Sequence, residues 1–331
     1  MKRRDFLASL GGSALLPAVL NARGRGEASL SLDNFAVVVG DLDHPEGIAA
    51  GAGNALVFSD LQAAVSVRTP DNKIARFGEA ISPCGVAVDP QGNAVVANMG
   101  LLSGKPGILQ GVDLTTGETR TLVASLEGRP LVASNNPVVA SDGTIYCTHS
   151  SWGEVALIGK KRDDGFVYAV LPSGEARIVA RNIRNANGTC FDKDEKYLFV
   201  CSTAEGRVYR YRRLKDGRLG PQEAYGPKLG LTVDDQSIAT IRSLPAEDRA
   251  QLGYCDGIIF DRYGNLLVTL PFADKIVAIT PDRQLRLVHH DKTGAFLNMP
   301  TNMAWDETEP DTLYTVSRAT NMIVKATARR V

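Results

Sequence analysis

The sequence predicts an all-β fold, a six-bladed β-propeller with four-stranded blades closed by an N-terminal strand. Three observations carry this: a short unit recurs six times, each copy runs on into a β-rich stretch, and most copies then add a second hairpin with turn residues at its tip. The unit has a first slot, a small or polar second slot, two or three apolar residues, and a turn ending in Gly or Asn. Its copies begin at Glu46-Gly47, Cys84-Gly85, Asn135-Asn136, Asn187-Gly188, Asp256-Gly257 and Thr301-Asn302. First slots are separated by between 38 residues (Glu46 to Cys84) and 69 (Asn187 to Asp256), the range of propeller blades.

After each turn comes a run such as "ALVFSD", "NAVVAN", "TIYCTH", "YLFVCS", "NLLVTL" or "TLYTVS", whose alternation and β-branched content predict a strand. Second hairpins follow in "SVRTPDNKIARF", "VDLTTGETRTLV", "VYAVLPSGEARIV", "YRYRRLKDGRLG" and "VAITPDRQLRLV", giving four strands per unit. The last copy runs out of residues after "SRATNMIVKATA", so "SLSLDNFAVVVGD" near the N-terminus is expected to supply its missing strand. Radial packing lets each sheet bury both faces, and no Pro/Ser-rich linker divides the chain, which predicts a single domain over 29–331.

Residues 1–28, with Arg3-Arg4 ahead of an apolar stretch too short to span a bilayer, have the pattern of a twin-arginine signal segment. That pattern implies the twin-arginine export machinery as a partner and a periplasmic or secreted destination, with no stable transmembrane span. The 331 residues carry 37 basic and 37 acidic side chains, a balance that gives no electrostatic case for nucleic acid. Five cysteines, scattered without CxxC spacing, read as small buried apolar residues, with a Cys190–Cys201 disulfide across one hairpin left open.

In a propeller the first strand of each blade lines the central channel, so Glu46, Cys84, Asn135, Asn187, Asp256 and Thr301 are expected to converge at one mouth. Two carboxylates brought together there repel, and a divalent cation removes the conflict. Oxygen donors from Glu46, Asn135, Asn187 and Asp256, without histidine, favour a hard cation such as Ca²⁺ or Mg²⁺; Ca²⁺ is the first expectation, with Mg²⁺, Mn²⁺ or Zn²⁺ as alternatives. The competing reading takes Asn187-Gly188 and Asp256-Gly257 as ordinary β-turns.

With Glu46-Gly47, Asn135-Asn136, Asn187-Gly188, Asp256-Gly257 and the closing "PTNMAWDETEPDTLYTVS", the chain resembles the gluconolactonase, senescence-marker-protein and luciferin-regenerating-enzyme family of six-bladed propellers. The resemblance implies a divalent ion held by Glu46, Asn187 and Asp256, with Asn135 beside metal and substrate, and an activity that hydrolyses lactones. Asp256 is then the expected catalytic base, and Glu46 the purely ligating carboxylate. Sugar-lactone members commonly carry Arg and Asp where this chain has Ala133 and Asn136, so a less hydroxylated small-molecule lactone or ester is expected. Asn135, Asn136, His149, Cys84 and Thr301 are the expected substrate contacts. Segment 229–253, the longest departure from the repeat, is expected to be either a lid or a surface excursion. Two other readings stay open: a non-catalytic binding module with a structural metal, and a strictosidine-synthase-like propeller working without one.

Overall fold

The structure, a computed structural model, describes residues 30–153, 162–234 and 236–330. These form six four-stranded antiparallel sheets, arranged as a six-bladed β-propeller, and one short two-stranded ribbon at Ser125–Leu126 and Arg129–Pro130. From the axis outward the first strands of blades one to six are Ile48–Gly51, Pro83–Val88, Ser134–Val139, Ala186–Phe191, Ile258–Phe260 and Pro300–Trp305. Each second strand coincides with one of the β-rich runs, for example Tyr197–Ser202 and Leu266–Leu270. The twin-arginine segment lies outside the described residues.

Blade six is closed as expected. Leu30–Val39 pairs antiparallel with Met322–Arg330, from Leu30 opposite Arg330 to Val37 opposite Val324, and becomes the outermost strand of that sheet. Joining the two ends of the chain in one sheet removes the open edge that a linear array of blades would leave.

Between blades, side chains of facing sheets interlock. Val57 and Val65 of blade one meet Val86 and Val96 of blade two, and Phe199 and Val208 of blade four meet Ile258 and Val268 of blade five. Turn chemistry appears where the repeat requires it: Asp261 accepts backbone N–H bonds from Tyr263 and Asn265, each at 2.8 Å, and Asp89 does the same for Gln91 and Asn93.

The first two slots of the unit are not turns. Cys84-Gly85, Asn135-Asn136 and Asn187-Gly188 lie inside extended first strands, and Asp256-Gly257 leads directly into Ile258–Phe260. Glycine in the second slot answers to the ring. A Cβ on Gly47, Gly85, Gly188 or Gly257 would stand 2.5, 2.3, 2.1 or 2.4 Å from the first-slot carbonyl oxygen of the next blade, a separation no real Cβ tolerates. The same approach permits hydrogen bonds between blades, Gly188 N–H to Asp256 O at 3.1 Å and Gly257 N–H to Thr301 O at 2.7 Å.

Hydroxyls from the ends of second strands add to this ring. Thr269 donates to Thr301 O at 2.7 Å, Thr203 to Cys255 O at 2.7 Å and Ser150 to Ala186 O at 2.9 Å, while Ser59 donates to Cys84 O. Thr301 completes the circle by donating its own hydroxyl to Glu46 O at 2.9 Å. The backbone that carries the first slots is therefore fixed by its neighbours on both sides, which is what a rigid functional site requires.

Candidate functional site

All six first-slot residues line one cavity of about 430 Å³ at a mouth of the channel. Strand geometry explains the convergence: in an extended strand alternate residues face opposite ways, so one residue per blade points to the axis while its neighbour packs against the next blade.

Glu46 and Asp256 are the carboxylates on the cavity lining. Glu46 is buried and accepts a hydrogen bond and ion pair at Oε2 from Nη1 of Arg318. Burial first, and then the charge of Glu46, push the Asp256 carboxyl well above the usual carboxylate range; Arg318 and a hydrogen bond from the Asn187 side chain pull it partly back. Asn187 is itself buried, and its Oδ1 is an orphan, without a protein partner. A buried amide oxygen left unpaired costs roughly 1–3 kcal/mol unless something outside the protein satisfies it.

That donor set fits a divalent cation. Two repelling carboxylates and one unsatisfied carbonyl-type oxygen all face the same cavity, an all-oxygen arrangement suited to a hard ion. Among the described residues no three His, Cys, Asp or Glu side chains are placed to hold a metal ion between them, so any such site depends on the asparagine amides as well as the carboxylates.

Asn135 is buried in the lining, with Nδ2 donating to Ser150 Oγ at 3.0 Å. Since Ser150 Oγ is committed as a donor to Ala186 O, it accepts from Asn135, and this chain of bonds fixes which way the amide faces. Cys84 also lines the cavity; burial, and then Glu46, raise its thiol well above the usual range, so it is present as the neutral thiol.

Two expected substrate contacts do not belong to this cavity. Asn136 points away from the axis, as alternation after Asn135 demands, with its backbone N–H donating to Thr148 Oγ1 at 3.0 Å. His149 is fully buried in blade three, stacked on Phe166 at a centroid distance of 4.4 Å and beside Trp152 at 4.5 Å. Its Nε2 accepts the backbone N–H groups of Ala133 and Val132, at 3.1 and 3.3 Å, and burial holds its pKa down at about 3. It is a neutral acceptor that secures the chain entering blade three. Thr301 is in the lining, but its hydroxyl is spent on Glu46 O.

Nor does the Cys190–Cys201 disulfide form: all five cysteines are free, and Cys190 pairs across its hairpin with Phe199 instead. Cys201 faces Cys255 in the adjoining blade.

Segment 229–253 forms two short helices, α1 (Ile238–Arg242) and α2 (Ala246–Arg249), and Ile238 and Arg242 contribute to the cavity wall. Tyr254 anchors the excursion. Its hydroxyl accepts from Val233 N–H at 2.9 Å and donates to Val233 O at 3.0 Å, while its ring meets Phe272 edge-on at 5.7 Å. Ile238 and Arg242 thus bring the described part of this segment to the mouth of the channel.

Arg318 is the residue that the repeat did not single out. It follows the second strand of blade six, Thr312–Ser317, at the same place where Met99, Thr203 and Pro271 follow their own second strands, and all four line the cavity. The signal available in sequence was that shared position, one step beyond each second strand.

Comparison with known proteins agrees with this architecture. A curated relative, the adipocyte plasma membrane-associated protein of Gallus gallus, is 31% identical over 141 residues, which cover 39% of this chain and 32% of that protein's length. Among solved structures, a gluconolactonase from Xanthomonas campestris superimposes with a TM-score of 0.66 at 20% identity, covering 93% of this chain and 99% of its own. A calcium-binding regucalcin from Agrobacterium tumefaciens does so with a TM-score of 0.64 at 15% identity, covering 88% and 93%. The family described as the SMP-30/Gluconolactonase/LRE-like region matches residues 44–319, and the chain belongs to that family.

Proposed function

We propose that this protein is a metal-dependent hydrolase that opens the ring of a lactone less hydroxylated than a sugar lactone, or cleaves a related ester. The observation that carries the reading is the shared cavity floor: Glu46, Asp256 and the unpartnered Oδ1 of Asn187. Glu46, Asn187 and Asp256 hold the ion, Ca²⁺ by the hardness of the donors, with Asn135 beside it and the substrate. The similar fold of a calcium-binding regucalcin and of a gluconolactonase supports this choice of ion and chemistry.

When bound, the cation polarises the lactone carbonyl and stabilises the oxyanion that develops on it. The chain's own residues do the rest. Asp256 takes a proton from the attacking water as the new C–O bond forms, and returns it to the ring oxygen as the old C–O bond breaks, leaving a hydroxy acid. The Asn187 side chain holds the Asp256 carboxyl in place, and Arg318 fixes Glu46. Ile238, Phe272 and Met299 supply apolar wall, which suits a body with few hydroxyls.

Export through the twin-arginine pathway, to the periplasm or outside the cell, is part of the same proposal and rests on Arg3-Arg4 and the apolar stretch that follows. Elemental analysis of the purified protein, paired with hydrolysis of γ- and δ-lactones with and without chelator, tests the reading in wild type and Asp256→Ala. One bound divalent ion, with turnover abolished by chelator and in the variant, is the expected result. A metal-free protein, or a metal retained unchanged in Asp256→Ala, sinks it and favours a binding module.

A further inference from the structure

The charges around the cavity do not balance once its carboxylates serve a divalent ion. Two carboxylates, Glu46 and Asp256, and two guanidinium groups, Arg318 and Arg242, line the wall. His44, at the same rim, is engaged with Asp43 at 2.6 Å. A cation of charge two held by the carboxylates leaves both guanidinium charges in surplus, and a concave site of net positive charge selects an anion.

We propose that the substrate is a lactone bearing a carboxylate, which Arg318 binds with Arg242 in support; the inference deepens, and rests on, the lactone-hydrolase reading above. Arg318 is placed for it. Its side chain keeps 33% of its surface accessible, and only Nη1 is committed, to Glu46 Oε2. Nε and Nη2 have no protein acceptor among the described residues, which leaves the donors of the planar fork for a second carboxylate. Arg242 closes α1 at the cavity wall; its side chain is exposed and makes no ion pair among the described residues. The remaining wall, with Met99, Leu102, Phe272 and Met299, carries no further charge and suits a sparsely hydroxylated body.

Calorimetric titration of glutarate and of butyrate into the full chain in Ca²⁺ tests the anchor without depending on turnover. Both probes offer one carboxylate to the ion, and only glutarate offers a second. Glutarate is expected to bind about tenfold tighter or more, the worth of a charge-assisted pair. Arg318→Gln should erase most of that preference, Arg318→Lys should keep part of it by restoring charge without the fork, and Arg242→Gln should reduce it less. Equal binding of the two probes to wild type, or a preference that survives Arg318→Gln, overturns the proposal. Should Arg318→Gln fail to fold, the wild-type comparison and Arg318→Lys still decide.

Hydrolysis of γ-butyrolactone and of its γ-carboxylated derivative separates this from the parent reading. Chelator-sensitive turnover of both with equal efficiency removes the anion anchor and leaves the hydrolase. A glutarate preference with turnover of neither removes the hydrolase and leaves the anion site standing.

Discussion

Opposite sides of the channel are built on one repeat, yet they end differently. Blades two and three present Cys84 and Asn135, neutral groups, with the Asn135 amide held by Ser150 and the thiol protonated. Blades four, five, six and one present Asn187, Asp256, Arg318 and Glu46, where charges crowd together and one buried amide oxygen has no partner. Both sides share the scaffold: glycine or asparagine in the second slot and, in blades one, three, four and five, a hydroxyl at the end of the second strand reaching a neighbouring carbonyl. The scaffold is thus indifferent to what the first slot carries, and the proposed function rests on the slots whose needs the protein leaves unmet.

The largest effect should come from removing charge alone on the crowded side. Asp256→Asn keeps the shape but loses the proposed proton acceptor, so on the hydrolase reading lactone turnover should fall by roughly 10²–10⁴-fold, the usual worth of a general base, and Ca²⁺ affinity should fall with it. In chelator the same variant should melt at a higher temperature than wild type, because the cost of burying a carboxyl there, and then of setting it beside Glu46, is gone. An equal or lower melting temperature in chelator would mean that the crowded side is no less satisfied than the neutral one.

Next in size is a break in the shared scaffold. Gly188→Ala places a Cβ 2.1 Å from Asp256 O and should cost about 3 kcal/mol, near the top of the overpacking range, while displacing the site. Gly92→Ala, at a turn with φ +85° and open space around it, should cost about 1 kcal/mol and leave turnover intact. Denaturant unfolding of both variants measures the difference; comparable losses would show that the ring around the axis is looser than its hydrogen bonds imply.

Most of the fold was legible because its signals are periodic. Strand alternation, turn residues such as Asp261 and Asn265, and the six-fold recurrence all repeat, and even the closing strand Leu30–Val39 followed from the shortage of residues in the last blade. The first-slot residues could be placed for the same reason. What the six-fold recurrence does not supply is the role of a side chain outside the first slots. His149 is the residue type a site would use, but its imidazole stacks on Phe166 in the core, and it is the next residue, Ser150, whose hydroxyl reaches the Asn135 amide. Arg318 escaped because it lies one step beyond a strand, in a turn whose sequence differs from blade to blade.

His149 gives the comparison a pH signature on its neutral side. Folding lowers its pKa to about 3 from the ordinary 6.5, so the unfolded chain binds the proton more readily. Its contribution to stability is complete above pH 6.5 and is lost as the pH falls from there toward 3. Between pH 7 and pH 5 this group alone should remove about 2 kcal/mol. His149→Gln, which can still accept from the Ala133 or Val132 N–H, should flatten that slope in urea titrations at the two pH values while leaving turnover at pH 7 within about twofold, the margin of a group that touches no substrate. A slope that persists in the variant would place the acid sensitivity in other groups and deny His149 its role as a buried neutral acceptor.

Cys84 should show the smallest effect, though it lies in the cavity itself. Its burial and the nearby Glu46 charge keep the thiolate scarce, and among the described residues its sulfur has no hydrogen bond to a base of the kind a nucleophile would need. Iodoacetamide at pH 8 should therefore label Cys84 in the native protein far more slowly than in urea, since burial holds its thiol well above the usual range and access is blocked as well. Cys84→Ala should keep turnover within about twofold, against the loss of several orders expected at Asp256. Fast labelling that abolishes turnover would move the chemistry across the channel, from the crowded side to the neutral one, and the cavity would then need a covalent mechanism in place of an activated water.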